Sequence, residues 1–201
     1  MRTILLAGLA VIWLAAIFVF VLYNRLVRLR NRSRQAFSEI DVQLKRRHDL
    51  IPNVVETAKG YLKHERGAFE AVTTARTEAI AAGQAVQGNP DNRQAMHRLG
   101  EAEASLSGAL GRLLAIGEAY HELKANQSMA NLMEELTTTE NRIALARQAY
   151  NDAAMFYNTA VQTLPASLVA AQLHFSAAEF FALDNAADKQ VPTAAFSSPS
   201  P

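Results

Sequence analysis

The sequence predicts an all-α membrane protein, with a single N-terminal transmembrane helix followed by an antiparallel bundle of long helices. The bundle is expected to resemble a four-helix bundle with a short fourth helix. Two observations predict this class: an uncharged run from Ile4 to Leu22, and apolar side chains that recur at spacings of three and four through most of the remaining chain. The alternating pattern that is typical of half-buried strands is absent from the sequence.

Residues 1–23 form the predicted transmembrane anchor. The run ILLAGLAVIWLAAIFVFVL would extend about 28 Å as a helix, which is enough to cross the hydrocarbon core of a bilayer. It leads into arginines rather than into a small-residue cleavage site, so we expect an uncleaved anchor and not a secretory signal peptide. Its expected membrane-spanning residues include Ile4, Leu9, Trp13, Phe18 and Leu22.

Residues 24–50 form a predicted basic juxtamembrane helix, or stalk. They hold eight Lys or Arg against three Asp or Glu, whereas residues 51–201 hold 11 against 16. The positive-inside rule therefore predicts a single-pass membrane protein with its N-terminus outside and its bundle in the cytoplasm. Five arginines are candidate contacts for anionic lipid headgroups, with solvated residues that only set the topology as the alternative: Arg25, Arg28, Arg30, Arg32 and Arg34.

Residues 51–183 form the predicted bundle. The helical spacing continues to about residue 82, so the first cytosolic helix is expected to run from about residue 24 to 82. A second helix should follow the turn-forming residues 88–91, and a third should begin with Ser128 as its N-cap. The third helix has apolar residues seven apart, which is typical of coiled-coil packing: Met129, Leu136, Ile143, Tyr150, Tyr157 and Leu164.

The C-terminal part of the sequence changes character at Pro165, which should end the third helix. A short fourth helix is expected to reach about Leu183. Residues 184–201 are rich in Ala, Pro and Ser and cannot support a core, so they are predicted to be a disordered tail.

The predicted helices differ in length. The first cytosolic helix would extend about 88 Å and the second and third roughly 50 to 55 Å each. If the turn at residues 88–91 lies at the membrane-distal end, residues 24–50 keep an apolar stripe without a partner in their own chain. Such a stripe predicts a homo-oligomer interface, formed by Leu29, Phe37, Ile40, Leu44 and Arg47.

Polar residues in the helices predict two further structural features. Pro52 lacks the N–H that would bond the carbonyl of His48, so a helix joint is expected there, with Asp49 as a possible N-cap. Glu140 and Arg147 lie seven residues apart beside the apolar seam of the third helix, which predicts a polar network that holds the register of the bundle.

No catalytic residue, metal site or cofactor is predicted. His64-Glu65 begins like a zinc-peptidase motif, but Ala68 stands where the second histidine is needed, and the chain has no cysteine. A nucleic-acid partner is not expected, because the basic segment has only Phe37 as a nearby aromatic and lies beside the anchor, where lipid phosphates are nearer. An enzyme ranks behind non-catalytic functions.

Three segments resemble the signature segments of the LemA family of bacterial membrane proteins. They are YNRLVRLRNRSRQAFSEIDVQLKRRHDLIPNVVETAKGY from Tyr23, the pair His64-Glu65, and ENRIALARQAYNDAAMFYN from Glu140. One departure is Leu173-His174-Phe175, where the family has a Gly-Phe pair after a hydrophobic residue. The resemblance implies a protein of the bacterial cytoplasmic (inner) membrane, with an N-terminal membrane helix and an antiparallel helical bundle. It implies no assigned catalytic activity.

The resemblance also suggests functions, because some LemA relatives are associated with organising membranes, including magnetosome membranes, and others are encoded near membrane proteases or stress-response proteins. The leading hypothesis is a homo-oligomeric, membrane-anchored scaffold that organises or shapes the membrane and contacts anionic lipids. The alternative is an adaptor that presents its bundle or its tail to a membrane protease or an envelope-stress regulator.

Overall fold

The computed structural model describes residues 1–62, 64–87 and 90–182. Within these ranges the chain is helical and forms no strand, which confirms the predicted all-α class with an apolar N-terminal helix followed by a helical bundle. The predicted tail, residues 184–201, lies outside the described residues. The helices are α1 (Arg2–Lys59), α2 (Arg66–Gln87), α3 (Arg93–Glu118), α4 (His121–Lys124), α5 (Gln127–Gln162) and α6 (Ala166–Gln172).

The first helix ends earlier than the sequence pattern predicts. The chain leaves α1 at Gly60, and Leu62, which is buried, holds the turn that leads into α2. The prediction of one helix to about residue 82 is therefore wrong. The three-and-four spacing continues across the turn because both arms of a helical hairpin turn an apolar stripe toward the same core.

The direction of α2 also corrects the predicted topology. Its last residue, Gln87, donates a hydrogen bond to the Oδ2 atom of Asp41 at 3.0 Å, and Asp91 in the following turn pairs with Arg30. This turn therefore lies near the membrane end of α1 and not at the distal end. The long helices α1, α2, α3 and α5 run alternately away from and toward the anchor, so the bundle has four long helices.

The pairing of α1 with α5 removes the unpartnered stripe that the sequence suggested. The ring of Phe37 packs against Tyr150 with centroids 5.6 Å apart, and Ile40 and Leu44 are almost fully buried in the same cluster. Residues 24–50 belong to the bundle and do not form a separate stalk. The premise of the predicted oligomer interface is wrong, because α5 runs back toward the anchor and covers this part of α1.

Pro52 lies inside α1 without interrupting it. The predicted helix joint is therefore absent from α1, and Asp49 is an exposed residue within the helix and not an N-cap. A proline in a helix interior leaves one carbonyl without its N–H partner. The bond that replaces it is described with the site below.

The predicted fourth helix is much shorter than expected. Helix α6 ends at Gln172, and the chain then continues without regular secondary structure to Ala182. His174 has a φ of 55°, a left-handed conformation that cannot continue an α-helix. The segment beyond it, residues 175–182, packs along α5 and α3 and is called the C-terminal strap below.

Candidate functional site

A buried ion cluster lies in the middle of the bundle, where α1, α3 and α5 meet. The side chains of Arg47 and Glu103 are both fully buried and form an ion pair. The second guanidinium nitrogen of Arg47 donates to the Oε1 atom of Glu140 at 2.6 Å and to the hydroxyl of Ser107 at 3.0 Å. One cation of α1 thus binds side chains from two other helices.

The electrostatics of this cluster favour a charged arginine. Burial acts to lower the pKa of Arg47, but the carboxylates of Glu103 and Glu140 outweigh it and raise that pKa above its ordinary value. His48 places its Nε2 atom 2.9 Å from the other oxygen of Glu103. The charged groups are bound to one another, so this arrangement is suited to fixing the helix register.

Arg76 supplies the bond that Pro52 removes. Its Nε atom donates to the backbone carbonyl of His48 at 2.7 Å, the carbonyl that an N–H at position 52 would otherwise bond. A side chain of α2 therefore compensates for the proline in α1 and links the two helices. This explains why α1 passes through Pro52 unbroken.

The five predicted headgroup arginines fall into two groups. Arg30 and Arg34 both bind the Oδ2 atom of Asp91, at 2.8 and 2.7 Å. Arg30 also lies over the ring of Phe175, 5.9 Å from its centroid. These two arginines face the bundle and bind the turn before α3 to α1. The other three are exposed: Arg25, Arg28 and Arg32.

Asp91 is held in its ionised form by this pairing. Burial acts to raise its pKa, but hydrogen bonds from Arg34 and Arg30 outweigh that effect and lower the pKa below its ordinary value. Nearby, Asn92 caps α3 by accepting a hydrogen bond from the N–H of Ala95 at 3.1 Å. The membrane-proximal turn is therefore bound to α1 through Asp91, and it caps the N-terminus of α3 through Asn92.

Two asparagines of α5 hold the C-terminal strap. Asn151 bonds both the N–H and the carbonyl of Phe181, at 2.9 and 3.2 Å. Asn158, seven residues later, bonds the N–H and the carbonyl of Ala178, at 2.7 and 2.8 Å. Each amide supplies the donor and the acceptor that an adjacent strand would supply, so the strap is fixed without a sheet.

The tyrosines that precede these asparagines also bind the strap. Tyr150 and Tyr157 are buried, and their hydroxyls donate to the carbonyls of Glu179 at 2.6 Å and Ser176 at 2.9 Å. Burial raises the pKa of both hydroxyls, so they remain protonated donors. The Tyr-Asn pairs therefore combine seam packing with recognition of a backbone.

Glu140 pairs with an arginine of another helix, and not with Arg147 as predicted. Glu140 binds Arg47 of α1, while Arg147 lines an open groove of about 800 Å³ between α5 and the strap. The groove also exposes Leu145 and Phe180, with 67% and 48% of their surfaces accessible. These two exposed apolar side chains mark a surface that sequence periodicity alone could not distinguish from a solvated face.

The anchor has the properties of a membrane span. A window at the start of α1 has a mean hydropathy of 2.9, and none of its residues is buried within the bundle. Leu22 is an exception among the predicted spanning residues, because it packs against α6. The others are exposed along the apolar part of α1: Ile4, Leu9, Trp13 and Phe18.

The sequence pattern did not predict several of these contacts, although one of them is marked by a glycine in the sequence. Glu103 and Arg76 look like ordinary surface residues in a helical pattern, and only their position opposite Arg47 and His48 reveals their role. Gly100, a glycine within α3, is a weak sequence signal of a close backbone approach. In the structure a Cβ at this position would collide with the carbonyl oxygen of Ala182. Among the described residues, no group of three or more His, Asp or Glu is arranged to hold a metal ion.

Comparison with known proteins supports the same family that the motifs indicated. A family model described as the LemA family matches residues 36–196. The chain is 28% identical over 186 residues to magnetosome protein MamQ 2 of Paramagnetospirillum magneticum, covering 85% of this chain and 68% of that protein, and MamQ 1 matches equally well. Magnetosome protein MamQ of Magnetospirillum gryphiswaldense is 27% identical over 206 residues, covering 94% and 76%.

Proposed function

The chain belongs to the LemA family, and on that premise we propose that it is a non-enzymatic, membrane-anchored scaffold that self-associates and organises the bacterial inner membrane. The observation that carries the proposal is the continuity of α1. One helix of 58 residues, Arg2–Lys59, forms the apolar anchor and then the central element of the bundle. At 1.5 Å per residue it extends about 87 Å.

A continuous helix couples the bundle mechanically to the membrane. The contacts around Pro52 and Arg47 stiffen α1 where it could otherwise bend. Arg76 replaces the missing backbone hydrogen bond, and carboxylates of α3 and α5 pair with the guanidinium of Arg47. A scaffold needs a fixed relation between its contact surfaces and the bilayer. A tether for catching soluble partners would work better with a flexible linker.

The groove between α5 and the strap is the proposed contact between copies. Leu145 and Phe180 provide exposed apolar area, and Arg147 and Asp152 provide charges of opposite sign in the same groove. In a two-fold contact each copy presents the same surface, so Arg147 of one copy can face Asp152 of the other. Confinement to one membrane raises the local concentration and favours such a contact.

Because the protein has no cysteine, single cysteines test self-association directly. Leu145→Cys and Phe180→Cys in the full chain, oxidised in native membranes, should form disulfide-linked dimers of this protein. Thr77→Cys, at an exposed position of α2, is the control and should form fewer. If all three variants remain monomeric under conditions that cross-link a known membrane dimer, self-association through this groove is wrong.

An adaptor for a membrane protease or an envelope-stress regulator is the second candidate. It is favoured by an apolar recess of about 290 Å³ at the membrane-distal end, lined by Leu114, Leu123, Met129 and Met133. Methionine-rich surfaces adapt to different apolar partners. Cross-linking from Met133→Cys to a different protein, with none between copies at position 145, would favour the adaptor over the scaffold.

A further inference from the structure

The corner between α5 and α6 carries exposed leucines at the membrane end of the bundle. Leu164 and Leu168 are 75% and 65% exposed, and Leu173, just after α6, is 48% exposed. From Ala153 to Ala178 the chain has no Asp, Glu, Lys or Arg. This uncharged stretch contrasts with the preceding part of α5, which carries acidic and basic residues on its outer face.

The pairing of α5 with α1 places this corner beside the membrane span. Tyr150 lies next to Phe37 and Glu140 next to Arg47, so the same antiparallel register brings Leu164 to the level of Tyr23. Tyr23 marks the end of the apolar run, and tyrosine is enriched at this depth of a bilayer. The corner therefore begins where the hydrocarbon region ends.

The far side of the corner lies deeper. Leu173 shares a groove with Ala15, Val19 and Phe20 of the anchor, and Ala15 lies about 10 Å inside the apolar run from Leu22. On the inner side of α6, Val169 and Ala170 pack against Leu22 and Leu26. The corner is thus fastened to α1 at a depth that a bilayer occupies when α1 spans it.

We propose that the α5–α6 corner is a second membrane contact, in which Leu164, Leu168 and Leu173 insert into the acyl chains beside the transmembrane helix. The absence of charge removes the main cost of insertion, and the exposed leucines gain apolar surroundings. Continuity with the span identifies lipid as the occupant. The inference depends on the membrane span and not on self-association.

A second contact would fix the orientation of the bundle. A single span permits rotation of α1 about its axis, whereas a corner inserted on one side of α1 lets only one face of the bundle point toward the membrane. The exposed Arg25, Arg28 and Arg32 lie one to three turns beyond the span. They are at the right height to meet phosphates of the lipids that surround the corner.

Lipid quenching of single labels tests this contact in the full-length protein. Leu168→Cys and Leu173→Cys variants are labelled with an environment-sensitive fluorophore and reconstituted in vesicles that contain phospholipids with a nitroxide near the headgroup. The control is Val42→Cys, an exposed apolar position on α1, 56% accessible and about 30 Å beyond Leu22. Helical content is compared with the parent by circular dichroism before quenching.

The expected result is a blue shift and a loss of fluorescence to the lipid nitroxides at positions 168 and 173, with neither at position 42. Emission at 168 and 173 that matches that at 42 would overturn the proposal. Blue-shifted emission without lipid quenching would also overturn it, because protein and not lipid would then cover the corner. Self-association at position 145 has a separate readout and can fail without affecting this result.

Discussion

The Nε atom of Arg76 donates a hydrogen bond to the backbone carbonyl of His48, 2.7 Å away. In an uninterrupted helix that carbonyl would accept from residue 52, but Pro52 has no N–H. One cation from α2 thus restores the bonding of α1 at its proline. The same contact makes the central helix continuous and joins two helices of the bundle.

This relationship predicts an interaction between positions 52 and 76. Arg76→Ala should lower the free energy of unfolding by roughly 1.5 to 3 kcal/mol, the range for a hydrogen bond from a charged group. In a Pro52→Ala background the cost should be smaller, because the alanine N–H can bond the His48 carbonyl. Pro52 is exposed, so its own replacement loses little packing. Denaturant unfolding of the four proteins in one detergent measures both costs, and equal costs of Arg76→Ala in the two backgrounds would refute the compensation.

The buried ion cluster predicts a graded response to substitution. Arg47→Ala should destabilise the bundle by roughly 3 to 5 kcal/mol, because it removes the cation that balances the buried carboxylate of Glu103 and leaves that carboxylate with only its contact to His48. Glu140→Ala should cost less, since 39% of that side chain is exposed. Glu101→Ala, at an exposed position of α3, is the matched control and should stay within about 0.5 kcal/mol of the parent. A cost at Arg47 no larger than that of the control would contradict the role given to the cluster.

The pairing of Asp91 predicts a pH dependence. Because its pKa in the folded protein is lowered below the ordinary value of 3.8, the pairing stabilises the fold above that value and is lost as the pH falls through the lower, folded pKa. The stability difference between the parent and Asp91→Asn should be constant at neutral pH and shrink below about pH 4. Unfolding curves across this range measure it. A difference that grows on acidification would have the wrong sign.

The asparagine pair predicts local release of the C-terminal strap. Asn151→Ala or Asn158→Ala leaves one strap N–H and one carbonyl without their bonds, at a cost of about 1 to 3 kcal/mol. Hydrogen exchange should accelerate at the amides of Phe181 or Ala178 respectively, with α3 and α5 still protected. Asn141→Ala, on the exposed face of α5, should leave exchange of the strap unchanged. Uniform acceleration across the bundle would show that the asparagines do not act on the strap specifically.

The backbone at His174 predicts a stabilising substitution. Its φ of 55° costs an L-residue roughly 1 to 2 kcal/mol, whereas glycine adopts it freely at an entropic cost of about 0.5 to 1 kcal/mol. His174→Gly should therefore raise the free energy of unfolding by up to about 1 kcal/mol. His174→Val should lower it, because a β-branched residue tolerates positive φ poorly. Thermal unfolding of both variants measures the difference, and loss of stability with glycine would contradict a strained turn.

The class of the fold followed from two sequence patterns, the uncharged run of the anchor and the helical spacing beyond it. The spacing could not locate the turn at Gly60, since Ala58, Leu62 and Phe69 continue one stripe across it. The misplaced turn then reversed α2 in the prediction and left residues 24–50 without a partner. An error at one helix end thus produced the incorrect oligomer interface.

The sequence predicted part of the buried ion cluster, because a cation on an apolar stripe needs a partner. Such a cation requires a carboxylate or the carbonyl end of another helix as its partner, and the position of Arg47 on the stripe did not indicate which. Glu103 supplies a carboxylate from α3, and no local pattern marks that residue. Arg30 and Arg34 resembled the exposed arginines around them, because their partner Asp91 is far away in the sequence. Contacts between distant segments depend on topology, which periodicity does not determine.

The proposed scaffold requires that the anchor and the bundle share one straight helix. Spin labels at Phe20→Cys and Val42→Cys, both exposed positions of α1, are placed in the full-length protein in lipid nanodiscs. Double electron–electron resonance should show one narrow peak at about 33 Å, the rise of a continuous helix over that interval. A broad distribution, or a peak at a clearly shorter distance, would mean that α1 bends between membrane and bundle and would contradict the scaffold.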